Sequence, residues 1–302
     1  MPGPVDHRSR GWLSALSAYL AWGLFPIYFK ALTGIPALEV LAHRVVWSVV
    51  LLVPVVLVLR RGPTVWAALR AWGRLAALAS ASLIAVNWLV YIWAVQAGRV
   101  VEASLGYFVN PLVSVLLGVV FLGERLRRVQ VMAVALAGAG VLWLVVHLGV
   151  IPWLPLSLAF SFGLYGLVRK RAAMDPVGGL LAETALLVPA ALIFLAWRGV
   201  TGAGAFGHGA GPSLLLAAAG PITTVPLVLF ADGVRRLPLS TVGLLQYLTP
   251  TLQFLLGVLV YREVFTQTHA VAFGCIWLAL ALYTWDSLRR ASERPPAPLS
   301  EL

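Results

Sequence analysis

Ten apolar runs of about 17 to 24 residues divide the chain, and a helix of that length crosses the roughly 30 Å hydrocarbon layer of a bilayer. They fall at 11–29, 38–59, 74–97, 101–122, 129–147, 152–168, 177–197, 213–231, 239–260 and 267–285. Hydrocarbon offers no water to backbone N–H and C=O groups, so such runs fold as helices. Composition points the same way: 61% of the 302 residues are hydrophobic and 11% charged. Soluble domains average about 45–50% and roughly 25%. The chain therefore reads as an all-α polytopic membrane protein with ten transmembrane helices. A disulfide scaffold is excluded, because Cys275 is the lone cysteine.

A net charge of +11 invites a nucleic-acid reading, but the basic residues form short clusters between apolar runs with no interleaved aromatic surface. Topology accounts for them, and no nucleic-acid partner is expected. Counted on alternate sides of the spans, 17 Lys and Arg fall on one side and four, Lys30, Arg99, Arg198 and Arg262, on the other, with Arg44 inside a span. By the positive-inside bias both termini are cytoplasmic, with tails at 1–10 and 286–302. The stretch ending at Phe29 lacks a small-residue cleavage site and is expected as a first span, not a removable leader. Residues 62–73 are expected to form a short interfacial helix.

The second half repeats the first at an offset of 139 to 140 residues. WGLFPIYFK at 22–30 aligns with FGLYGLVRK at 162–170, and NPLVSVLLGVVFLGE at 110–124 with TPTLQFLLGVLVYRE at 249–263. Pro111 thereby falls on Pro250 and Glu124 on Glu263. The repeats, 11–147 and 152–285, hold five helices each, and an odd number forces the two copies to enter the membrane from opposite sides. Two inverted five-helix repeats are an architecture of secondary transporters.

The segments YLAWGLFPIYFK at 19–30, EVLAHRVVWS at 39–48, NWLVYIWAVQAGRVVEASLGYFVNPLVSVLLG at 87–118, GERLRRVQ at 123–130 and LLQYLTPTLQFLLG at 244–257 resemble the RarD permeases of the EamA type, in the drug/metabolite transporter superfamily. The resemblance covers nearly the whole chain outside the tails and the Gly-rich 199–212 stretch. It implies a ten-helix inner-membrane permease, and efflux, since many members of the superfamily look like exporters of amino acids or metabolites. Gln96 stands where relatives often carry Asn.

Polar groups within the spans mark the candidate site, because each needs a partner, a wet cavity or a route to the interface. In the second span Glu39, His43 and Trp47 recur every four residues, with Arg44 one position around. They line a cleft, or Glu39 and Arg44 form an interfacial pair. Asn87, Tyr91 and Gln96 in the third span are either substrate-lining or interhelical bonds. Tyr107 and Asn110 precede Pro111, as Tyr247 and Thr249 precede Pro250, so each half offers a proline-kinked helix with polar groups nearby. Trp22 joins Tyr19, Pro26 and Lys30 in a stripe, Lys30 reading as a surface anchor. Glu183, offset by 140 from His43, is a candidate for proton coupling, since a carboxyl buried without a cation partner holds its proton more readily, or else it makes a polar packing contact or sits at the interface. Glu124 and Glu263 are expected to pair with nearby arginines or cap the next helix. Small residues in the fourth and fifth spans suit close packing, and a homodimer contact is one use for them.

No HExxH, nucleophile elbow or phosphate-cradling loop occurs, so no enzyme, metal or cofactor is expected. The expected partners are membrane lipid, a small-molecule substrate that is amino-acid-like or drug-like, and a coupled proton or other ion. A scaffold or sensor, and an intramembrane enzyme using His43 and Glu39, are the competing classes.

Overall fold

The computed structural model describes residues 7–58, 60, 62–63, 73–172 and 176–293, and every regular element among them is helical. In chain order these are α1 (His7–Gly23), α2 (Phe25–Ala31), α3 (Ala37–Val58), α4 (Arg74–Gln96), α5 (Val100–Leu122) and α6 (Arg128–Leu148). The second half has α7 (Trp153–Ala172), α8 (Pro176–Val200), α9 (Ala210–Arg236), α10 (Leu239–Leu245), α11 (Leu248–Leu255) and α12 (Gln267–Glu293), with a π-helical turn, Leu256–Val260, after α11. The interfacial helix expected at 62–73 falls almost entirely outside the described residues.

Among the described residues nine segments are long and apolar enough to cross a membrane. The tenth expected span, α7, has 20 residues and lies against α5 and α4, so it is part of the bundle although its basic end lowers its hydropathy. Glycine ends α5 and α6: Gly123 and Gly149 adopt φ of 65° and 66°, the left-handed conformation that closes a helix without steric cost.

Two spans expected to be continuous are broken. The first splits at Gly23 and Leu24, ahead of Pro26, and the ninth at Gln246 and Tyr247, ahead of Pro250. A proline ring displaces the carbonyl four residues earlier and supplies no N–H to it. Pro26 frees the carbonyl of Trp22, which accepts a bond from Gln253 Nε2 at 3.1 Å. Thr249 Oγ1 likewise donates to the Tyr19 carbonyl at 2.9 Å. Polar side chains of α11 thus satisfy the broken backbone of α1, as hydrocarbon surroundings demand.

The strongest packing pairs α6 with α12, α5 with α7, α1 with α9, and α3 with both α9 and α8. The start of α1, where Arg10 pairs with Asp232, and the end of α12, where Asp286 pairs with Arg127, mark one end of the bundle, here the terminal side; the 199–209 loop, tied to Glu39, marks the other, the loop side. One buried cluster joins α2, α3, α4 and α8 around Phe29, Leu52 and Ile92, and a second joins α5, α6 and α12 around Phe108, Leu144 and Phe273.

Candidate functional site

A cavity of about 480 Å³ lies between the helices of the two halves. Of the residues singled out in the sequence, Trp22, Arg44, Asn87, Tyr91, Tyr107, Asn110, Tyr247 and Thr249 line it. Glu39, His43, Trp47, Gln96 and Glu183 do not.

Toward the loop side the cavity is lined by Tyr91, near the end of α4, and Tyr107, near the start of α5. Tyr91 and Tyr107 meet edge to face with ring centroids 5.6 Å apart. Tyr107 donates to Asn87 Oδ1 at 3.3 Å, and Asn87 Nδ2 donates to the Leu158 carbonyl and Ser161 Oγ at 3.1 and 3.0 Å. Asn87 is therefore engaged through both ends of its amide, joining α4 to α5 and α7. Asn110 differs: its buried Oδ1 has no partner among the described residues, and neither do the Tyr91 hydroxyl and Gln253 Oε1.

Arg44 does not reach the interface and does not pair with Glu39. Five residues of helix turn the two side chains to different faces, about 140° apart. Arg44 instead crosses to α9, where Nε donates to Thr223 Oγ1 at 2.8 Å, and its guanidinium carbon is 4.0 Å from the Trp88 ring centroid. Glu39 pairs with Arg198 at 2.8 Å and accepts the Ala205 N–H at 2.6 Å. This anchors the loop after α8, and Phe206 from that loop stacks on His43 at 5.0 Å and approaches Trp47 at 6.0 Å. His43 and Trp47 are consequently beneath the loop and outside the cavity wall.

Three further contacts close the loop side. Gln96 Nε2 donates to the carbonyls of Leu32 and Ile35, each at 3.0 Å, tying α4 to the turn between α2 and α3. Lys30 Nζ donates to the Val95 carbonyl at 3.1 Å, an anchor against α4. Glu263 accepts the N–H groups of Val100 and Val101 at 2.8 and 2.7 Å, capping α5 and not the helix that follows it. Its repeat counterpart Glu124 makes a more exposed pair with Lys170 at 2.9 Å on the terminal side.

The other end of the cavity is walled by Tyr165, Arg169, Leu180, Phe230 and Gln246, and Phe162 beside them is 37% exposed. Behind this wall Glu183 is fully buried, accepting from Ser80 Oγ at 2.6 Å and the Tyr165 hydroxyl at 3.0 Å. It has a cation partner after all, Arg169 at 3.6 Å, whose guanidinium reaches from the last turn of α7 to α8 beside Gly179.

Sequence reading missed Trp88, Thr223, Tyr165, Arg169, Gln246 and Gln253 as lining. Gln253 carried a signal, an amide inside an apolar span. Arg169 was legible only as one of the terminal-side basic residues.

Membrane-length helices from both halves around one polar-lined cavity define a multi-pass membrane protein built to hold a small molecule. The chain belongs to the EamA-like transporter family, whose sequence pattern matches residues 9–146 and again 150–285, and within it to the RarD-type permeases. An uncharacterized transporter of Bacillus subtilis, YojE, is 47% identical over 94% of this chain and 97% of its own. Protein RarD of Streptomyces exfoliatus is 47% identical (95% and 91%), and Protein RarD of Escherichia coli 45% (94% and 98%). A solved structure described as "Crystal structure of protein" shares the fold at a TM-score of 0.57 and 21% identity, covering 91% of this chain and 97% of that one. The chain is a membrane transporter, with a small-molecule substrate and a lipid environment implied by its family.

Proposed function

We propose that the chain is a secondary transporter of the bacterial inner membrane that exports small amino-acid-like or drug-like metabolites by alternating access. The observation that carries this reading is the cavity, lined by helices of both halves and running from Tyr91 and Tyr107 to Tyr165 and Arg169. Two inverted repeats, 11–147 and 152–285, supply the two conformations. The helix pairings support that symmetry. Exchanging the halves turns α5 with α7 into α11 with α1, α4 with α7 into α9 with α1, and α3 with α9 into α8 with α4, while α6 with α12 and α3 with α8 map onto themselves. Glu263 and Glu124, equivalent in the repeats, are in different states, one capping a helix on the loop side and one more exposed on the terminal side. In this reading alternation exchanges those states.

In this reading both termini are cytoplasmic, so the terminal side faces the cell interior. Reporters fused after residues 205 and 295 should then give opposite compartment signals. Like signals would overturn the ten-span topology.

Glu183 is the candidate proton carrier, since Tyr165 and Arg169 connect it to the cavity. In reconstituted vesicles, a transported metabolite should accumulate under an imposed pH gradient with the wild-type chain, and Glu183→Gln should remove the response to the gradient. Asn110→Ala should lower transport while leaving melting temperature nearly unchanged, because Asn110 Oδ1 holds no protein bond among the described residues. If Asn110→Ala transports like wild type across a full substrate titration, Asn110 has no part in binding. A melting loss of about 1 to 2 kcal/mol would instead make it a structural bond.

A further inference from the structure

The cavity contains a cation without a counter-charge. Arg44 is 4% exposed, and its guanidinium is packed over Trp88 at 4.0 Å and near Phe25 and Phe29, each at 5.6 Å. Its one side-chain hydrogen bond among the described residues runs from Nε to Thr223 Oγ1. Both terminal amino groups remain for the cavity that Arg44 lines. The acids that could neutralise it are committed elsewhere, Glu39 to Arg198 and Glu183 to Arg169, Tyr165 and Ser80.

An unneutralised guanidinium at membrane depth is costly, and aromatic faces offset only part of that cost. Among the described residues no Asp or Glu lines the cavity. The second cation on its wall, Arg169, is already bonded to the Tyr165 hydroxyl at 2.6 Å and paired with Glu183. Among the described residues the cavity therefore presents one uncompensated positive charge, which a single negative charge balances. The fork of a guanidinium matches the two oxygens of a carboxylate.

We propose that the cavity recognises small organic monocarboxylates, the carboxylate docking on Arg44 and an apolar or aromatic body packing against Trp88, Tyr91 and Tyr107. This rests on the cavity being the substrate site of the transport reading and adds the charge of the substrate to it.

The test is a binding measurement on the full chain in lipid nanodiscs, with 3-phenylpropionate, its amide, phenethylamine and phenethyl phosphate as probes, followed by the thermal midpoint. The carboxylate should raise the midpoint and bind about tenfold or more tightly than the amide, the scale of a hydrogen bond to a charged group. Arg44→Gln should bring the carboxylate down to the amide's affinity, and Arg44→Lys should keep part of the preference. If Arg44→Gln does not accumulate folded, the wild-type comparison of carboxylate with amide decides alone. Amide or amine binding as tightly as the carboxylate, tighter binding of the phosphate, an undiminished preference in Arg44→Gln, or no carboxylate binding would each overturn the proposal. Carboxylates that bind through Arg44 yet never cross a reconstituted bilayer would leave it standing and remove the transport reading. Transport of amides or amines but not carboxylates would do the reverse.

Discussion

Glu39→Ala is expected to destabilise the fold by roughly 3–5 kcal/mol, the cost of leaving one member of a buried ion pair alone. Glu39 is 1% exposed and takes bonds from three donors on the loop side: Arg198 Nη2 at 2.8 Å, Arg198 Nε at 3.2 Å and the Ala205 N–H at 2.6 Å. Arg198 also donates to the Ala203 carbonyl. One carboxylate thus holds the start of α3, the end of α8 and the loop between α8 and α9. The Arg198 side chain is 18% exposed, so water takes up part of the loss and the lower end of the range applies. The double variant Glu39→Ala with Arg198→Ala strands no charge and should recover much of the stability. Thermal unfolding in nanodiscs measures both, and a Glu39→Ala midpoint equal to wild type would mean that the pair contributes nothing.

The number and placement of the helices were readable because hydrocarbon thickness dictates the length of an apolar run. The breaks at Gly23 and Leu24 and at Gln246 and Tyr247 were not, although Pro26 and Pro250 announce them. A proline reveals that a carbonyl is freed; only the neighbouring helix decides whether the chain bends or splits, and here Gln253 and Thr249 accept the split.

The second-span cluster illustrates the same limit. A period of four correctly groups Glu39, His43 and Trp47 on one face, which the structure covers with Phe206 and the loop. Arg44, one position around, points elsewhere, and its partners come from α9 and α4, more than 40 residues away in sequence. Gln96 looked like Asn87 in the sequence, an amide in an apolar helix, but its place one residue before a turn lets it bond the carbonyls of another turn, Leu32 and Ile35. Spacing within a helix fixes a side chain's face, and the opposing helix fixes its role.

The crossing of α3 and α9 determines whether Arg44 and Thr223 meet, and Gly220→Val should disrupt it. A Cβ at Gly220 would lie 2.5 Å from the Trp47 carbonyl oxygen and 2.7 Å from the carbonyl carbon, which are backbone atoms and cannot swing away. Overpacking of this kind costs about 1–3 kcal/mol, and relieving it means moving the helices apart. Arg44 lies three residues before Trp47 and Thr223 three after Gly220, so the added separation opens the 2.8 Å bond between them. Gly220→Val should therefore lose stability and, with it, any ligand preference that depends on the position of Arg44. Gly138→Ala supplies the contrast: it is also helical, but an added Cβ meets nothing within 4 Å, and alanine in place of glycine is worth up to about 1 kcal/mol to a helix. Melting of the two variants should shift in opposite directions. Equal melting temperatures would mean that the two helices have room to part at Gly220, and that the contact with Trp47 does not set the geometry of the cavity.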